Sequence, residues 1–161
     1  MDTAHTPIDT HLLIGSAFEP GQEAAERILN PRTGALILEV AEASVGQINR
    51  AVAAARKAFE TWSRTTPAER AAALLRIADR IERDAAAFAA LEALNCGKPI
   101  NAALSDEIPA IVDCYRFFAG ALRTQTGALA GEYLAGHTSM VRRDPVGVIA
   151  SIAPWNYPLM M

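Results

Sequence analysis

The stretch richest in chemistry is Ala153-Pro154-Trp155-Asn156-Tyr157-Pro158. A carboxamide on a short loop is a neutral group with two N–H donors, so Asn156 can stabilise a developing oxyanion without itself titrating. Pro154 and Pro158 stiffen the backbone on either side. The same residues fit a plainer role, in which the Asn156 side chain satisfies backbone groups of a turn, and residue types alone leave both readings open. The two thiols are weaker candidates. A reactive cysteine needs a cationic or dipolar setting. Cys114 falls in the middle of a helical pattern, where a packed thiol is expected, and Cys96 has only the adjacent Gly97-Lys98 to poise it. Both are read as structural. With His5, His11 and His137 they form neither a CxxC pair nor a ligand cluster, so neither a metal site nor a disulfide framework is expected.

The elements that must position the Asn156 loop are legible in the hydrophobic pattern. His11-Leu12-Leu13-Ile14-Gly15 is a short apolar run closed by glycine. Asn30-Pro31-Arg32-Thr33-Gly34 is a strong turn, followed by alternation at Leu36, Leu38 and Val40, which predicts an antiparallel pair across it. Three helices follow. The first opens on a capping box of Ser44 and Gln47 and carries a stripe of Val45, Ile48, Val52, Ala55, Phe59 and Trp62. The second opens on Thr66-Pro67-Ala68-Glu69, with Asp84 placed to break it and Gly97 and Pro99 to stop it. The third is expected to start near Ser105, with Pro109 in its first turn and a buried stripe of Ile108, Ile111, Val112, Tyr115, Phe118 and Leu122. Residues 137–143 read as an exposed strand that includes His137, and Asp144-Pro145 as a turn. Residues 146–153 are nearly all apolar, as in a strand covered on both faces of a parallel sheet. The Asn156 loop leaves the C-terminal end of that strand, where open α/β sheets bind their ligands. A parallel strand needs neighbours and a crossover. None follows in these 161 residues, which predicts an N-terminal portion of a longer α/β protein.

Composition narrows the class. Apolar residues make up 51% of the chain, enough for a core and against general disorder. Fifteen Lys+Arg against eighteen Asp+Glu leave a charge of -3, so a free-standing nucleic-acid binder is not expected. The first ten residues lack the basic and apolar regions of a secretory leader. The longest uncharged run, from Pro145 onward, is interrupted by prolines, Gly147 and Asn156 and makes a poor membrane span. A reducing, cytoplasmic setting is the default expectation.

Four motifs in order now carry a resemblance. Asn30-Pro31-Arg32-Thr33-Gly34, Asn95-Cys96-Gly97-Lys98-Pro99, Arg143-Asp144-Pro145-Val146-Gly147-Val148 and Pro154-Trp155-Asn156-Tyr157-Pro158 together resemble the NAD(P)-dependent aldehyde dehydrogenase superfamily over essentially the whole chain. Segments 106–113, 116–120 and 131–140 are most similar to the gamma-aminobutyraldehyde and betaine-aldehyde dehydrogenase branches.

The resemblance implies an α/β fold, present as the N-terminal portion of that family's architecture. It would divide into a hairpin and helices of the cofactor-binding domain at 1–135, an oligomerisation strand at 136–145, and the first strand of the dinucleotide-binding sheet at 146–161. It implies that Asn156 is the catalytic oxyanion donor and that Pro154, Trp155 and Asn156 line the nicotinamide end of an NAD site. Tyr157 would be an aromatic wall of the substrate tunnel. Glu107 matches an acidic position at the tunnel mouth that would attract a substrate ammonium. A carboxylate favoured by the helix dipole is an equal reading for Glu107, and for Asp113 a solvated face is the better one. Asn95 stands where some members carry an Asp tied to a structural monovalent cation. The family's nucleophilic Cys and general-base Glu match no position here. The resemblance thus implies an oxidoreductase acting on a small aldehyde, 4-aminobutyraldehyde or a similar amino aldehyde of putrescine degradation, and a homodimer or homotetramer in the full-length form. The 161-residue chain alone is expected to be inactive. The other reading is a non-catalytic homologue that binds full-length dehydrogenases through its exposed strand.

Overall fold

The computed structural model describes residues 8–128 and 131–161. His5 and the reading of the first residues as free of a secretory leader fall partly or wholly outside them. Two small antiparallel sheets come first. Strands β1 (Leu12–Ile14) and β2 (Ala17–Glu19) pair Leu13 with Phe18, around Gly15 at a φ of 64°. Strands β3 (Ala25–Leu29) and β4 (Leu36–Ala41) pair Glu26 with Val40 across the expected turn. There Asn30 Oδ1 accepts from Arg32 N at 2.9 Å, and Gly34 N donates to the Asn30 carbonyl at 2.8 Å.

Between β2 and β3 the chain passes so close to the end of β4 that a Cβ on Gly21 would lie 2.1 Å from the Ala41 carbonyl oxygen. Backbone cannot move aside as a side chain can. Gly21→Ala should therefore cost about 1–3 kcal/mol of stability. Gly120→Ala meets open space in a helix interior and should stabilise by about 1 kcal/mol. Urea denaturation of the two variants checks both signs.

Helix α1 (Val45–Trp62) starts on the Ser44–Gln47 capping box. Gln47 is wholly buried and fully used. Its Oε1 accepts from Ser44 N and Gln22 N at 3.0 and 3.1 Å, and its Nε2 donates to the Pro20 carbonyl at 2.8 Å. One side chain thus joins the hairpin to the helix. Helix α2 (Pro67–Arg83) starts on the Thr66–Glu69 box, and the Thr66 backbone and side-chain hydrogen bonds hold the Glu69 carboxyl below its ordinary range. Asp84 separates it from α3 (Ala85–Cys96), which Gly97 ends in the left-handed region at φ 74°.

The next helical run begins earlier than the sequence predicts. A single turn, α4 (Ile100–Ala102), leads into a π-helical segment, Ala103–Glu107, and then α5 (Ile108–Thr124). Pro109 therefore sits inside a continuous helical run rather than in its first turn. The π segment, where Ile108 N donates to the Ala103 carbonyl, shifts the hydrogen-bond register just ahead of the proline. The core lies where α2 meets α5: Ala78, Ile81, Ile108, Ile111 and Val112, with Phe88, Tyr115 and Leu159 against it. Arg116 ties the two helices from outside, reaching Asp79 at 3.1 Å and Glu82 at 2.6 Å.

Burial falls short of expectation on α1 and α5. Val45, Ile48 and Trp62 on α1 are exposed, as are Phe118 and Cys114 on α5. Among the described residues, 137–143 carry an isolated Leu134–His137 bridge, a further bridge position at Met140 and a hydrogen bond from Val141 N to the Ala128 carbonyl. Among the described residues, 146–153 pair with no strand, and Val146, Ile149 and Ile152 are strongly exposed. Val146 and Ile149 line one open cleft with Phe59 and Trp62, so these partly covered surfaces border one another. The exposure of Cys114 has a local cause, since it lies on the side of α5 away from Ile111, Val112 and Tyr115. Among the described residues no helix is long and apolar enough to cross a membrane, and no group of three or more His, Cys, Asp or Glu is placed to hold a metal.

Candidate active-site loop

The loop is fixed from the C-terminal end of α3. Gly97 turns the chain there, and Pro99 restricts the backbone behind Lys98. The Lys98 side chain folds back between two acidic groups. Its Nζ lies 3.0 Å from Glu92 Oε1, one turn earlier on α3, and 2.6 Å from Glu107 Oε2, at the end of the π segment. All three side chains are largely removed from water. Burial pulls the Lys98 ammonium down, but the hydrogen bonds to Glu107 and Glu92 outweigh it and hold the pKa above the ordinary lysine value. Glu92 Oε2 is buried with no hydrogen-bond partner among the described residues.

Residues 154–159 lie against this platform. The Lys98 ammonium sits 4.2 Å from the centroid of the Tyr157 ring. On the other side of Asn156, the Trp155 carbonyl accepts from Cys96 Sγ at 3.3 Å. Leu159 packs on the core cluster. With Pro158 it also closes one side of a shallow cleft of about 310 Å³ over Phe88, Leu91 and Asn95. Burial, followed by the charge of Glu92, pushes the Cys96 thiol up. It is a hydrogen-bond donor here, not a poised nucleophile, as its sequence setting implies.

The sequence-named residues therefore separate into two groups. Asn156, Pro154 and Trp155 are exposed on a turn, and among the described residues the Asn156 carboxamide makes no hydrogen bond. Tyr157 is half-covered by Lys98 and keeps 39% of its surface open. Glu107 has a different neighbour from the one expected: its carboxylate is turned onto Lys98 and is 8% exposed. Lys98 and Glu92 were missed by residue-type reasoning. The only signal for them was Lys98 beside a helix-ending glycine, with acidic residues at helical distance before and after it.

Comparison with known proteins shows the family. Residues 18–161 match the aldehyde dehydrogenase family. A probable aldehyde dehydrogenase of Mycobacterium bovis is 43% identical over 134 residues, covering 81% of this chain and 26% of that protein. The fluoroacetaldehyde dehydrogenase of Streptantibioticus cattleyicolor shows the same identity and coverage. Among solved structures, the indole-3-acetaldehyde dehydrogenase of P. syringae in complex with NAD+ aligns at a TM-score of 0.88 and 34% identity, over 98% of this chain and 32% of that one. The betaine aldehyde dehydrogenase of Staphylococcus aureus with NAD+ aligns at 0.88 and 31% identity, over 94% of this chain and 31% of that one. The chain thus spans about a quarter to a third of the length of these relatives.

Proposed function

The chain belongs to the aldehyde dehydrogenase family, and from that premise we propose that it supplies the oxyanion-donor loop and one wall of the nicotinamide site for NAD-dependent oxidation of an aldehyde. The observation that carries this is the state of Asn156: its neighbours Trp155 and Tyr157 are held from α3 and Lys98, while its own carboxamide is exposed and unused. That is the condition a preorganised donor requires. As a cysteine thiolate attacks the aldehyde carbonyl, the Asn156 N–H groups donate to the oxygen that gains charge. The thiolate and the base that later activates water match no residue of this chain.

The surface fits one end of the cofactor and not the whole of it. Pro154 and the Trp155 indole are exposed beside the donor, with backbone at 151–153 that makes no hydrogen bond among the described residues, and these would hold the nicotinamide ring. Bound NAD would accept the hydride. The chain's own part is to hold the carbonyl oxygen and to present a rigid apolar edge that excludes water. The relatives named above differ in their aldehydes. An amino aldehyde such as 4-aminobutyraldehyde is the substrate we propose, because the open part of the Tyr157 ring can take a cation. With Lys98 already on Glu107, the ring rather than that carboxylate is the seat for the ammonium.

The 161-residue chain should show no NADH formation above blank with any aldehyde. A full-length dehydrogenase carrying this segment should prefer 4-aminobutyraldehyde and betaine aldehyde over an uncharged aldehyde in kcat/KM. Turnover by the chain alone refutes the partial-site reading, and indifference to substrate charge refutes the amino-aldehyde reading. A second reading has its own support: exposed Val146, Ile149 and Ile152 suit a non-catalytic chain that docks on full-length relatives. Co-purification with a full-length dehydrogenase would favour it.

A further inference from the structure

We propose that Lys98 is a positioning residue for the Asn156 carboxamide, acting through the ring of Tyr157. What this means for catalysis rests on the reading of Asn156 given above; the positioning itself does not. A lysine side chain is ordinarily the most mobile of anchors. Here its base is set between Gly97 and Pro99, and its head is gripped by Glu92 and Glu107 from two separate helical elements. Two of the three ammonium donors are thereby engaged. The ammonium lies against the face of Tyr157, the residue directly after Asn156. The residue directly before it is held by Cys96, two positions from Lys98. The end of α3 therefore grips both flanks of Asn156 and leaves its amide unused.

The buried carboxylates acquire a purpose in this arrangement. A single carboxylate would suffice to keep a lysine charged. Two of them, approaching from α3 and from the π segment, fix its direction as well, so that the charge rests on the ring rather than turning to solvent. Misplacement of a reacting group by about 1 Å typically costs on the order of 100-fold in rate, so the loop needs such an anchor. The competing explanation is that Lys98 only neutralises Glu92 and Glu107.

The test separates the two. Three forms of the 161-residue chain are labelled with 15N: Tyr157→Leu, which leaves the ion cluster intact; the triple variant Lys98→Met with Glu92→Gln and Glu107→Gln, which removes the cation without leaving unpaired charge; and Lys98→Arg, which keeps a cation able to stack on the ring. The readout is the heteronuclear NOE of the Trp155 and Asn156 backbone amides and the Asn156 side-chain amide. Hydrogen-exchange protection at Ile81 and Ile111 is the folding control. The expected result is loss of most of the NOE in Tyr157→Leu and in the triple variant with core protection retained, and retention of most of it in Lys98→Arg. An unchanged NOE in Tyr157→Leu and the triple variant overturns the proposal. So does loop loosening that appears only together with loss of protection at Ile81 and Ile111. If the loop loosens as expected but a full-length enzyme carrying Tyr157→Leu keeps its kcat for an uncharged aldehyde, the positioning role stands and the oxyanion reading of Asn156 falls.

Discussion

Replacing Asn156 by alanine should lower kcat by about 100- to 1000-fold, the usual consequence of removing one oxyanion donor. The measurement belongs in a chimera in which residues 18–161 replace the matching segment of a full-length relative, such as the betaine aldehyde dehydrogenase that aligns at a TM-score of 0.88. NAD binding should weaken far less than kcat falls, because Pro154 and Trp155 still line the nicotinamide site and the carboxamide's strongest contact forms only as charge develops on the oxygen. Asn156 is exposed and its side chain makes no hydrogen bond among the described residues, so alanine leaves no buried group unpaired. The thermal midpoint should therefore stay where it is. Asn156→Asp is the sharper variant: it matches the shape and replaces two donors with a repelling charge, and should be at least as damaging. A kcat within a few-fold of the parent in both variants would remove Asn156 from the mechanism.

Lys98→Met should be the most destabilising single change at the loop platform, by about 3 kcal/mol. That is the lower end of what breaking a buried ion pair costs, chosen because the lysine retains 16% exposure. The loss comes from leaving Glu92 and Glu107 buried without a counter-charge, so adding Glu92→Gln and Glu107→Gln should restore most of it. Arg116→Ala, which breaks a more solvated pair of contacts, should matter far less. The pH dependence has a definite sign. A lysine whose folded pKa is raised stabilises the fold fully below its ordinary value of 10.5. The contribution fades as pH climbs from there through the folded value. Urea titrations at neutral and at strongly alkaline pH should therefore show the parent falling toward the Lys98→Met variant only at the alkaline end. A constant difference between them would show that the ion cluster is not its source.

Local signals in this sequence are accurate where local physics decides. The Ser44 and Thr66 capping boxes, the Asn30 turn, the break at Asp84 and the glycine stop at Gly97 all stand as read, because each is settled by groups within a few residues. Elsewhere the structure departs from the pattern in two ways. The α1 stripe carries the pattern of a buried face, but burial depends on a neighbour and periodicity says only that one is wanted. A start near Ser105 suits Pro109, which is cheapest in a first turn, and the π segment offers the chain another way to accommodate it. At the loop, Asn156 and Tyr157 were legible from their motif. The acidic grip on Lys98 was not, since Glu92, Lys98 and Glu107 sit on three different elements and meet only in three dimensions.

The wide turn at Ala103–Glu107 amounts to one amino acid more than a regular helix would hold over the same length. Shortening it by a single codon, at Leu104 for instance, would regularise every backbone bond there. The turns on either side would keep nearly the same phase, because the surplus residue is absorbed within the wide turn itself. The bulge is thus a way to lodge an added residue without re-aiming α5.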